Sequence, residues 1–236
     1  MDKKKFGFTL AEVLITLLII GVIASIVIPG LIANTNKAEF VTKLKKEHAV
    51  LSQAFNLIKA DAGGNILYDS NFSSTTNDNS EDRNAMNEFA TKLNVVKNCG
   101  NSTSCWYAST LKFLGGGIHV VDLESLWNGK YGKAILADGT TMSVDINNSS
   151  CINTPNSGAA VGPLSGSVCG LTAIDVNGVS GPNQTGRDYF YFWITKTGIY
   201  PFGSFNDGYS CDINSSTTAT SYGCAAKVIN EGAMNY

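Results

Sequence analysis

Histidine is nearly absent from this 236-residue chain: only His48 and His119 occur. Two distant histidines leave little from which to build the common general-base or metal-hydrolase schemes. No Gly-x-Ser-x-Gly, His-Glu-x-x-His or phosphate-binding loop is present. Asp122 and Glu124 lie close in sequence but lack a supporting constellation. Charge is also scarce, at 15% of residues, and the formal net charge is −2. Lysine and arginine thin out after Lys59, which excludes the strongly basic footprint of a nucleic-acid-binding domain. Cysteine is missing from the first 98 residues, and no Cys-x-x-Cys pair occurs, which argues against a zinc site. No internal repeat is visible.

The most informative absence is charge between Val13 and Ala33. A helix of about 20 such residues spans the apolar core of a bilayer. Lys3, Lys4 and Lys5 precede it, which predicts a cytoplasmic N-terminus. A secretory signal peptide has a shorter apolar core, about 7–15 residues, followed by a small-residue cleavage site. Here the apolar run is longer and continues into a helical pattern, so it reads as a retained anchor. Within it, Glu12 is a carboxylate in an apolar helix, a costly placement that calls for a partner or a function. It either reaches back to the interface or meets a positive amine.

After Pro29-Gly30, where a kink or an unwound stretch is expected, the pattern changes. Phe40, Leu44, Leu51, Phe55 and Ile58 fall on one helical face, while Lys43, Lys45, Lys46 and Glu47 are assigned to the others. The stripe predicts packing of this half-helix on a globular part. His48 reads as a surface or boundary residue, and His119, in Gly-Ile-His-Val-Val, as a core residue. Ala62-Gly63-Gly64-Asn65 stops the helix.

Beyond it, 81–96 predicts a short helix with Met86, Phe89, Leu93 and Val96 on one face. The segments on either side of Asp138-Gly139 predict a β-hairpin. Leu171–Val176 and Tyr189–Thr195 read as strands, the latter apolar or aromatic on both faces, and Gly198–Gly203 as a turn. The expected fold is therefore α+β: a long N-terminal helix on a mainly antiparallel sheet. The expected divisions are 1–7, 8–33, 34–60 and 61–236.

The six cysteines, Cys99, Cys105, Cys151, Cys169, Cys211 and Cys224, all follow the anchor, and their even number suggests disulfides in an oxidising compartment. Sequential pairing is favoured because each pair closes a short loop rich in turn residues; buried free thiols are the alternative. The loop Asp175–Asp188 concentrates oxygen donors. Asp175, Asn177, the carbonyl of Val179, Asn183 and Asp188 form a candidate calcium set. A hairpin closed by Asx turns, with no metal, is the preferred alternative, and no cofactor is required.

The stretch from Lys3 to Ala24 closely resembles the leader and anchor of type IV prepilins and type II secretion pseudopilins, over residues 1 to about 60. The resemblance implies cleavage after Gly7 by a membrane-embedded peptidase, and N-methylation of Phe8. It places the family's acidic residue on Glu12 and its usual proline on Pro29, both serving assembly. It implies a non-enzymatic structural subunit of a pseudopilus or pilus, partnered by copies of itself, other pilin-like subunits, the prepilin peptidase/methyltransferase, an inner-membrane assembly platform and membrane lipid. No nucleic acid is expected. The chain would begin in the bacterial inner membrane and end in a periplasmic pseudopilus or surface pilus. Major pseudopilins carry calcium in C-terminal loops, which adds weight to the Asp175–Asp188 set although its pattern differs from theirs. The alternatives are a minor tip subunit that binds DNA, a surface or an exported substrate, and an anchored binding domain unrelated to filaments.

Overall fold

The computed structural model describes residues 8–66, 80–100, 102, 110–120 and 131–236. Gly7, Cys105, Asp122 and Glu124 lie outside them. The chain divides into two units, Met1–Glu39 and Phe40–Tyr236, so the division falls inside the helical continuation expected at 34–60.

The first unit is helical from Leu10 onward and belongs to α1 (Leu10–Asp61). Its apolar side chains are exposed, among them Leu17, Leu18, Ile19, Ile20, Ile26 and Leu31. The segment is long and apolar enough to cross a membrane. Pro29 lies inside the helix, which continues through it, so of the expected kink or unwound stretch the unwound one does not form here.

In the second unit α1 turns into a core element. Val41, Leu44, Leu51, Ala54, Phe55 and Ile58 are buried, and Phe40 packs at their edge. The helix stops in a Schellman motif: Gly64 N–H donates to Lys59 O (2.8 Å), Gly63 N–H to Ala60 O (3.0 Å), and Gly63 is left-handed at φ 73°. Next comes α2 (Ser80–Lys92), with Ala85, Met86 and Phe89 buried. It is shorter than the sequence predicts. Val96 lies in a strand and is exposed, because the edge strand β1 (Val95–Gly100) begins there.

The sheet has six antiparallel strands in the order β1-β4-β5-β6-β7-β8. They are β1, β4 (Gly132–Leu136), β5 (Thr141–Ile146), β6 (Val168–Asp175), β7 (Tyr189–Thr195) and β8 (Ile199–Pro201). The expected β4–β5 hairpin forms around Asp138-Gly139, with Ile135 opposite Thr141. The segment read as a turn at Gly198–Gly203 contributes β8, paired with β7 through Trp193 and Tyr200. A two-stranded sheet joins β2 (Leu111–Lys112) and β3 (Ile118–Val120). Gly132 permits the close approach of α2, since a Cβ there would stand 2.1 Å from Asp82 O.

Strand periodicity sorts β7 between two cores. Phe190, Phe192 and Ile194 join the core under α1 and α2. Tyr189, Tyr191 and Trp193 join a second core with Leu111, Leu164 and Phe202, with Tyr209 and Tyr222 at its edge. The C-terminal segment carries α3 (Thr218–Ser221) and α4 (Cys224–Glu231), which the sequence reading did not anticipate. Disulfides join Cys151 to Cys169 and Cys211 to Cys224. Cys99 is disulfide-bonded as well. The architecture is α+β and pilin-like, with disulfide-stapled loops.

Candidate functional site: the head of the long helix

The chain enters α1 through Phe8-Thr9, and Phe8 is almost fully exposed. Thr9 and Glu12 form a capping box. Glu12 Oε2 accepts the Thr9 N–H (2.8 Å) and the Thr9 hydroxyl (2.7 Å), while Thr9 Oγ1 accepts the Glu12 N–H (3.3 Å). Two backbone donors that a helix start leaves open are thereby satisfied. The negative charge also sits at the positive end of the helix dipole. The sequence reading missed this role for Thr9, although Thr-Leu-Ala-Glu is the sequence signature of such a box. Pro29 stands apart from this cluster, later in the same helix.

Glu47 is a second residue the sequence reading misplaced. Assigned to a polar face, it is buried. It lies three residues after Leu44 and four before Leu51, on the apolar stripe itself, and that spacing was the available signal. Lys46 pairs with Asp138 of the β4–β5 turn, and its Nζ is 3.1 Å from Glu47 Oε1. Burial, and then the neighbouring Asp138, push the Glu47 carboxyl up to about 7. Burial would also raise Asp138, but hydrogen bonds from Lys46, Glu47 and Thr140 outweigh it and hold that carboxyl well below the usual range.

The histidines are engaged structurally. His48 stacks on Phe192 at 5.2 Å, and its Nε2 lies 3.1 Å from Ile199 O. His119 stacks on Phe113 at 4.5 Å and meets the Tyr222 hydroxyl; burial lowers its pKa.

The oxygen-rich loop is held by its own backbone. Asp188 Oδ2 accepts the Asn183 N–H and Oδ1 the Gln184 N–H, both at 2.7 Å. Asp175 Oδ1 accepts the Asn177 N–H at 3.2 Å. Asn177 donates to Gly181 O at 2.9 Å, leaving its own Oδ1 without a hydrogen bond. Val179 is exposed. Burial raises the Asp188 carboxyl to about 6 against the pull of these N–H groups. Calcium takes six to eight oxygens. Both carboxylates accept backbone N–H groups, as an Asx-turn hairpin requires, while the Asn177 amide oxygen has no hydrogen bond.

The chain thus carries an apolar helix long enough to span a bilayer, headed by one capped carboxylate and continuing as a core element of an antiparallel-sheet domain. Residues 2–28 match the prokaryotic N-terminal methylation motif. Over a stretch of about 60 residues the chain is similar to type II secretion system core protein G of several bacteria. It is 40% identical to the Escherichia coli (strain K12) protein over 60 residues, which is 25% of this chain and 40% of that one. It is 34% identical over 61 residues to the Dickeya chrysanthemi protein, 26% of this chain and 39% of the other. Against the Vibrio cholerae protein it is 37% identical over 59 residues, 25% and 40%. The chain thus spans about 40% of the length of the curated relatives it matches. No solved structure matches it significantly.

Proposed function

We propose that the chain is a subunit of a type II secretion pseudopilus or type IV-like pilus, assembled through α1. A peptidase removes residues 1–7 on the cytoplasmic side, and Phe8 becomes the N-methylated first residue. Before assembly the apolar helix lies in the inner membrane and the domain beyond Phe40 is exported. Assembly lifts the helix out of lipid and packs it against copies of itself and other pilin-like subunits, with Glu12 meeting the new amine. The prepilin peptidase/methyltransferase and an inner-membrane platform act on it, and the chain carries no catalytic site of its own.

One observation carries this reading: nearly every side chain from Val13 to Ile32 is apolar and exposed, with a single carboxylate at the head of the run. An apolar surface of this extent needs lipid or neighbouring helices to cover it. Intact-mass and N-terminal peptide spectrometry, on native membranes and on sheared surface material, tests the proposal. A chain beginning at methylated Phe8 is expected, and the fraction holding it separates a pilus from an envelope-confined pseudopilus. A chain beginning at Met1, or cut beyond Ala33, would sink the reading.

A minor, tip-located subunit is the second reading. The shared segment is 25% of this chain but 40% of the Escherichia coli protein, so this chain carries a larger unmatched domain. Low abundance in the assembled fraction would favour it.

A further inference from the structure

One short pattern in the second unit is accounted for neither by the cores nor by the helix head. Asp-Ile-Asn-x-Ser occurs twice, as Asp145-Ile146-Asn147-Asn148-Ser149 and as Asp212-Ile213-Asn214-Ser215-Ser216. Each contains Asn-x-Ser, the acceptor triplet for N-linked sugar in exported chains, with a carboxylate two residues before the asparagine. Each also stands beside a disulfide, Cys151 following the first and Cys211 preceding the second. Turn chemistry explains one aspartate and not the other. Asp212 Oδ1 accepts the Asn214 N–H at 2.9 Å, an Asx turn. Asp145 lies within β5 opposite Leu171, and the Asn147 N–H goes to Cys169 O (3.1 Å) instead.

Both asparagines are open to solvent. Asn214 is exposed in a turn closed by Ser215 N–H to Asp212 O (3.0 Å), and Ser216 is exposed two residues on. Asn147 is exposed where β5 ends, and its Oδ1 accepts only the Asn153 amide, at 3.5 Å. Neither Nδ2 donates to a described residue. The other described triplets lack both the acid and the open amide. Asn148 has Ile146 two residues before it and gives its Nδ2 to Asn153 Oδ1 (2.7 Å). Asn183 has Gly181 there and is buried, and its Thr185 hydroxyl is bonded to Ser221. Asn71 and Asn101 begin further triplets outside the described residues.

We infer that Asn214 and Asn147 are acceptors for an N-linked oligosaccharide, transferred on the exported side of the membrane by an oligosaccharyltransferase that reads the preceding aspartate. The inference rests on the proposed export of the second unit. The donor is a sugar chain carried on a lipid pyrophosphate. The asparagine Nδ2 bonds to the anomeric carbon of the first sugar, and the bond from that carbon to the pyrophosphate oxygen breaks. The lipid pyrophosphate leaves with the electron pair, and one Nδ2 proton passes to a base of the transferase. Two residues before the acceptor stands a carboxylate, which a cationic side chain can hold by a charge-assisted hydrogen bond; two residues after it stands a hydroxyl. Asn214 is the better acceptor, because its aspartate is exposed in a turn while Asp145 is held in a paired strand.

Glycopeptide mass spectrometry of the full chain from native cell envelopes, read together with its N-terminal peptide, tests this. Sugar is expected on the peptides holding Asn214 and Asn147, with higher occupancy at Asn214. Asn214→Gln should remove it from that peptide alone. Ser216→Ala should do the same, whereas Ser216→Thr, which keeps the hydroxyl, should retain it. Asp212→Asn keeps the turn acceptor and loses the charge, and should lower occupancy at Asn214 about tenfold, the loss of one charge-assisted contact. Unmodified Asn147 and Asn214 on a chain that begins at methylated Phe8 overturn the inference and leave the subunit reading standing. Sugar on a chain that keeps Met1 does the reverse, and a chain that keeps Met1 without sugar sinks both. Equal occupancy in Asp212→Asn overturns the role of the carboxylate. Sugar confined to Asn71, Asn101, Asn148 or Asn183, or borne on serine and threonine hydroxyls, overturns the assignment.

Discussion

Glu12 and Thr9 hold one another at the head of α1, the carboxylate accepting both the N–H (2.8 Å) and the hydroxyl (2.7 Å) of Thr9. In the unassembled chain Glu12 therefore caps its own helix, and any amine it meets on assembly must share it with Thr9. Two substitutions separate cap from charge. Glutamine also serves at the third position of a capping box, so Glu12→Gln keeps the helix start and loses the charge. Thr9→Ala keeps the charge and loses about 1 kcal/mol of capping. Processed Glu12→Gln chains should accumulate in the membrane and be missing from the assembled fraction, while Thr9→Ala chains enter it in reduced amount. Wild-type incorporation of Glu12→Gln would reduce Glu12 to a cap.

Asp207 is the polar hub of the second core. Its carboxylate is buried and accepts the Trp193 indole N–H (2.8 Å) and the backbone N–H groups of Gly203 (2.9 Å) and Tyr209 (3.0 Å). Asp207→Ala orphans all three donors and should cost about 3 kcal/mol; Asp207→Asn, which keeps one acceptor oxygen, should cost about half as much. Chemical denaturation of the two variants reads the difference.

The two disulfides whose partners are both described close loops of 18 residues (Cys151–Cys169) and 13 residues (Cys211–Cys224). Replacing either pair by serines should lower stability by about 3 kcal/mol, chiefly by freeing the unfolded chain. The second loss should also loosen α4, which begins at Cys224. Hydrogen exchange along residues 224–231 should then rise more than exchange in β4 or β5.

The large elements were legible because each rests on one strong period. Leu44, Leu51, Phe55 and Ile58 repeat as a helix face, and Tyr189–Thr195 alternates between two apolar faces. Val96 misled because it continues the helical spacing of Met86, Phe89 and Leu93 yet sits on an exposed edge strand, where spacing carries no information about burial. The C-terminal helices went unseen: α4 is eight residues long and owes its burial to the core it shares with α1 and α2, through Cys224, Ala225 and Val228, a tertiary effect. Glu47 was misplaced because its charge outweighed its position on the stripe. The cap was written in Thr9-Leu-Ala-Glu12 but was hidden by attention to the apolar run that follows.

Glu47 also predicts how stability varies with pH. Its carboxyl titrates near 4.5 when unfolded and at about 7 when folded. The folded chain therefore holds a proton that the unfolded chain has released, and stability is lost as pH rises from about 4.5 to about 7. The loss should be on the order of 2 kcal/mol, then flat at higher pH. Glu47→Gln removes this contribution, so its thermal midpoint should fall less than that of wild type across this window, the remaining fall coming from the raised Asp188 carboxyl, and should exceed that of wild type at pH 8.

The loop from Asp175 to Asp188 gives the sharpest test of metal dependence. Asp188 Oδ2 and Oδ1 accept the N–H groups of Asn183 and Gln184, which predicts a hairpin that closes without an ion. Calcium or a chelator should leave the thermal midpoint of the oxidised chain unchanged. Asp188→Ala should cost about 2–3 kcal/mol, because two buried backbone donors lose their acceptor, and Asp188→Asn should recover part of it. Metal would show a different pattern: a saturable rise in midpoint with calcium that Asp188→Asn abolishes. In that event the backbone N–H groups would be orienting the carboxylate toward a cation, and the idle Asn177 oxygen would be the next ligand to replace.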